Sequence, residues 1–126
     1  MQGVGMKTGE AILALVQSEK IKSAVIVITQ ALEVVSGLRP EERTGGEKVI
    51  RILLGIASQE VLLARTIATH KDWDWDGIES LLERSAVLAD SGVAQEATIH
   101  LARAISLITT IGQRAMTFLE QEHLLQ

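Results

Sequence analysis

Residues 94–118, AQEATIHLARAISLITTIGQRAMTF, decide the fold. Ala94, Ala97, Leu101, Ala104, Ile108, Ile111, Ala115 and Phe118 fall on alternating three- and four-residue steps. An α-helix advances 3.6 residues per turn, so this spacing lays one apolar stripe along one face. A strand would need apolar residues at every second position, and the stretch does not supply them. The reading is one long helix, from about Val93 to Leu124, whose stripe must be covered by other helices.

The rest of the chain supplies them. Ala14, Ile21, Ala24, Ile28, Ala31, Val35 and Leu38 repeat the seam spacing, with Gln17 in its one polar slot. They predict a first helix from about Glu10 to Ser36, with Thr8 near its cap, ended by Gly37 and Pro40. Thr44-Gly45-Gly46-Glu47 fits a capping box and predicts a second helix from Thr44 to about Lys71, with Ile50, Leu53, Ala57, Val61, Ala64 and Ala68 inward. Asp76 and Glu79 fit another, predicting a short third helix over about Gly77–Ala89, with Ile78, Leu81, Leu82, Ala86 and Ala89 inward. The fold class is therefore all-α: an up-down four-helix bundle with three long helices and one short. The domain reading is a flexible tail over 1–7 and a single bundle over 8–126.

At about 1.5 Å per residue the long helices span roughly 40 Å and the third about 20 Å. Helix four then overhangs helix three, and the far ends of helices one and two lack cover. Ile26, Val27, Val34, Leu62 and Leu107 also widen the apolar arcs beyond one seam. A second copy would meet both needs, so a homodimer is expected. The alternative is a monomer with kinks near Ser18 and at Gly112.

Composition sets limits. The chain has 126 residues, 47% hydrophobic but only 2% aromatic, so its core is aliphatic. The net charge is −4 with lysines and arginines scattered, which argues against nucleic-acid binding. No cysteine is present, which removes thiol chemistry and cysteine-based zinc sites. The longest uncharged runs, 23–32 and 104–113, are half of what a membrane span needs. Met1–Lys7 lacks the basic and apolar regions of a signal peptide, and a cytoplasmic location is expected.

Asp72-Trp73-Asp74-Trp75-Asp76-Gly77, with Glu83 farther on, resembles the EF-hand loop, D-x-D-x-D-G then five residues and Glu. Three of the four aspartates in the chain sit here at alternate positions. The resemblance implies calcium held by Asp72, Asp74, Asp76 and Glu83. It departs from the pattern at Glu79, where an aliphatic residue belongs, and in its two bulky tryptophans. A metal-free reading of the same residues has Asp76 capping helix three and Trp73 and Trp75 plugging the end of the bundle.

Other polar residues suggest other chemistry. Arg65 and His70 match the R-x4-H spacing of HEPN-type ribonucleases, which are small helical bundles. On a continuous helix they point about 140° apart, so they converge only if the helix ends between them. His100 beside an apolar face is broadly similar to a phosphotransfer histidine, but His100-Leu101-Ala102-Arg103-Ala104 lacks that motif's glycine. Glu120 and His123 form a single E-x-x-H, where a di-iron bundle needs two. Glu60 lies in the apolar arc of helix two, and a carboxylate there must protonate or find a partner: a basic residue, Gln17, or its symmetry mate. Gln17 and Glu60 are thus a candidate buried polar site. Residues 74–84 are also loosely similar to turns in flagellar export chaperones. The function read from all this is a non-catalytic, self-associating interaction protein, an adaptor, chaperone-like or assembly module without cofactor. Its partners would be itself and, through apolar helix faces, another protein. The alternatives are a calcium-responsive protein and a HEPN-like ribonuclease.

Overall fold

A computed structural model of the chain describes residues 6–122. Met1–Gly5 and His123, with the E-x-x-H it would complete, lie outside the described residues. Four helices follow one another: α1 (Thr8–Ser36), α2 (Pro40–Ile67), α3 (Trp75–Asp90) and α4 (Ala94–Gln121). Each packs on its neighbours in the chain, and α4 closes the ring against α1. Gln17 meets Glu60 while a Cβ on Gly46 would meet Val35, so α1 and α2 run antiparallel. Arg65–Asp76 and Arg51–Asp90 set α3 antiparallel to α2 in the same way. Ser85 bonds the Ala97 carbonyl across α3 and α4, and Gly112 lies against Ser18 across α4 and α1. The topology is up-down-up-down.

The core is aliphatic, from Ala11, Ile21 and Leu32 through Leu54, Ile78 and Leu101 to Ile108 and Leu119. Its seams drift from the heptad expectation. Val25 and Leu32 are buried where Ala24 and Ala31 were expected, Leu54 replaces Leu53, and Leu119 replaces Phe118. A straight helix slips against a strict 3.5-residue repeat, so long stripes must shift by one place. Met6 also packs against this core.

Helix starts differ from the sequence reading. Helix α2 begins at Pro40, not Thr44, so Thr44-Gly45-Gly46-Glu47 is helix interior and caps nothing. Proline is pre-set for the first helical position, and Glu41 and Glu42 complement the positive end of the dipole. Helix α3 begins at Trp75, and its cap is Asp74, whose Oδ1 accepts the Gly77 N–H at 2.8 Å. Asp76 is therefore not the cap. Helix α1 starts at Thr8 after Lys7, with no side-chain cap bond.

The short α3 leaves part of α4 without a helical partner, and the chain itself covers the gap. Residues 68–74 cross the end of the bundle with Trp73 and Trp75 buried beneath them. Trp75 Nε1 donates to the Ala68 carbonyl at 2.8 Å, which satisfies the end of α2. Thr69 donates to Glu10 of α1, and Arg114 of α4 donates to the Asp72 carbonyl at 3.5 Å. The expectation that a second copy is needed at this end is corrected: tryptophans fill it. Both helices run unbroken through Ser18 and Gly112, so the kinks named above do not form helix breaks. Those two residues mark a close approach of α1 and α4, since a Cβ on Gly112 would sit 2.9 Å from Ser18 Oγ.

Candidate functional site

Two places hold the residues that the sequence singles out. The first is the corner where α2 passes into α3. Helix α2 ends at Ile67, between Arg65 and His70, so the two side chains do come to one cleft with Thr69, Trp73 and Asp76. Arg65 Nη1 is engaged there by Asp76 Oδ1 at 2.6 Å. His70 Nδ1 accepts the Asp72 N–H at 3.2 Å, and the ring leans on Trp73 with centroids 5.4 Å apart. The cleft lining carries Asp74 and Asp76 beside Arg65 and Lys71, so it presents no net basic surface to a phosphate backbone.

The same corner does not gather the four carboxylates of the calcium pattern. Asp74 caps α3, Asp76 is inside α3 and turned to Arg65, and Glu83 lies with Ser80, Arg84 and His100 along the α3–α4 groove. Among the described residues no three acidic or imidazole groups come together as a metal cluster. Gly77 has another use. A Cβ there would meet the Asp74 carboxylate folded over it, so glycine lets the cap lie this close.

The second place is the outer face of the α1–α2 layer. Gln17 and Glu60 do meet: Gln17 Nε2 donates to Glu60 Oε1 at 3.4 Å, and Lys20 Nζ reaches the same oxygen at 3.2 Å. The Lys20 contact, then that of Gln17, holds the Glu60 carboxyl below its ordinary range. Glu60 is not sealed in the core; its side chain is 29% exposed.

Around this pair the surface is apolar. Eleven of the fifteen large hydrophobic side chains exposed among the described residues lie on α1 or α2. Leu13, Val16, Val27 and Val34 follow seam spacing on the outer side of α1. Val49, Ile52, Ile56 and Leu63 do so on the shoulder of α2 that adjoins it. Helix α1 thus carries an apolar stripe on its outer side as well as on its core face, more than a helix with one side in water needs. The opposite layer is more polar: the outer positions of α4 carry Gln95, Arg103, Ser106, Thr110, Gln113 and Thr117, with Ile99 the exposed aliphatic among them. Sequence reading caught Val27 and Val34 but named none of the α2 stripe. It missed the α2 stripe because that lies one shoulder away from a seam of nearly the same period.

No described helix is long and apolar enough to cross a membrane. No protein-family model, curated protein or solved structure matches the chain. The fold and site define an all-α four-helix bundle with one apolar outer layer.

Proposed function

We propose that the protein is a non-catalytic, self-associating interaction module, and that it associates through the outer face of α1 and α2. One observation carries this: eight aliphatic side chains on that face are 40% to 68% exposed. Leaving them in water costs free energy that burial would recover, at about 25 cal/mol per Å². A helical adaptor or assembly protein needs such a face and needs no reaction centre. The test is sedimentation equilibrium across a range of concentrations. Wild type reversibly reaches twice the mass of one chain, and Ile52→Glu stays at the mass of one chain with unchanged helical circular dichroism. A wild type that remains a single chain at every concentration sinks the reading.

Two rivals are separable from it. The ribonuclease reading has the shared cleft of Arg65 and His70 in its favour, while Asp76 on the guanidinium opposes it. RNA cleavage lost in His70→Ala would support it. The calcium reading rests on the spacing of Asp72, Asp74, Asp76 and Glu83. A saturable, calcium-specific change in tryptophan fluorescence would support it, because both tryptophans lie in that segment.

A further inference from the structure

We infer that the occupant of the α1–α2 face is a second copy of this chain, related by a two-fold axis parallel to the helices, with Lys20 of each copy set against Glu60 of the other. This rests on the self-association proposed above and goes further by fixing register and orientation. The area suits a second copy. The eight exposed side chains present on the order of 700 Å² of apolar surface, above the roughly 300–600 Å² of a typical monomer's largest patch and near the roughly 800 Å² per partner of a standard interface.

The charges choose the axis. Within one copy Val16 lies level with Leu63, Lys20 with Glu60, and Val27 with Ile52, as the Gln17–Glu60, Lys20–Glu60 and Val35–Gly46 contacts require. A two-fold axis along the helices keeps every level and lays α1 of one copy over α2 of the other. Val16 then meets Leu63, and Val27 meets Ile52. Lys20 meets Glu60 twice, so the four charges alternate in sign around the crossing. A two-fold axis across the helices inverts the levels about the middle of the stripe, near Ser23 and Ile56. Lys20 would then press on Val27, leaving an ammonium against a methyl surface. Opposite charges that meet across an interface favour its register; in the alternative each Lys20 keeps the Glu60 of its own copy but gains no second carboxylate while pressed on methyl groups.

The experiment exploits the reciprocity. Lys20→Glu alone places four carboxylates at the crossing, and Glu60→Lys alone places four ammonium groups there. Each variant by itself is expected to dimerise about 100-fold more weakly than wild type, the size of a like-charge juxtaposition of a few kcal/mol. Mixed in equal amounts, they restore opposite signs across the interface although neither has its internal pair. The mixture is expected to form a one-to-one heterodimer within about tenfold of wild-type affinity. The chain has no cysteine, which permits an independent check. Val27→Cys mixed with Ile52→Cys is expected to give a disulfide dimer, and Ser23→Cys alone is expected to give none. A dimeric wild type whose charge variants fail to pair, or whose Ser23→Cys cross-links to itself, overturns the register and leaves self-association standing. A wild type that never dimerises overturns both.

Discussion

At the residue scale the two informative carboxylates behave oppositely. Glu60 has Lys20 and Gln17 on one oxygen and is held in its charged form. Glu79, between α2 and α3, has Oε1 sealed without a hydrogen-bond partner. Burial, then the Glu83 carboxylate one turn on, pushes its pKa above the ordinary 4.5, with Ser58 and Arg65 pulling partly back. A raised carboxyl pKa means the folded chain holds that proton more tightly than the unfolded one. The stability it brings is fully present below the unfolded value and is lost as pH rises through the folded value. Glu79→Gln imitates the protonated state. It is expected to stabilise the fold at pH 7 by less than about 1 kcal/mol, because the group remains partly in screening water. The gain vanishes below about pH 4.5. Urea titrations of both proteins at pH 4 and pH 7 measure this, and an equal effect at both would refute the assignment. The partnership of Glu60 was legible in the sequence, because a carboxylate in an apolar arc demands one. The strain at Glu79 was not, because it depends on where α3 lies against α2.

At the scale of elements, glycines tell packing from propensity. Gly45 and Gly46 are neighbours within α2, yet a Cβ on Gly45 meets nothing, while one on Gly46 meets both Val35 methyls at 2.9 and 3.0 Å. Valine has methyls on both sides of its Cβ, so no rotation clears the space. Gly45→Ala therefore gains the helix propensity of alanine, about 0.5–1 kcal/mol. Gly46→Ala gains the same but incurs overpacking of about 1–3 kcal/mol, for a net loss of about 1 kcal/mol. Thermal unfolding of the two variants should shift in opposite directions, and a shift of the same sign would contradict the close approach of α1 and α2 at this level. Read from sequence, the pair suggested a capping box, because Thr-x-x-Glu is a local signal and the proximity of Val35 is not. The tryptophan loop shows the reverse case. Two large side chains between helices announced a plug, and burial of Trp73 and Trp75 delivers one, though the cap is Asp74.

At the scale of the whole molecule, heptad spacing made the helix count and the all-α class readable, since long stripes leave few other folds. The outer α1–α2 face was only half readable, because two stripes of nearly equal period overlap on one helix. Their separation depends on the drift that burial of Val25, Leu32 and Leu54 reveals. If this face is covered by a second copy, folding and association are linked. Dilution then removes part of the stability, so the melting temperature must fall with protein concentration. Wild type is expected to melt several degrees lower at 1 μM than at 100 μM, as the loss of 1–2 kcal/mol implies for a domain near this size. Ile52→Glu removes the association but touches no core contact, because that side chain is 63% exposed. Its melting temperature should match that of dilute wild type and be independent of concentration. A wild type with the same melting temperature at both concentrations would mean that the apolar face stays in water.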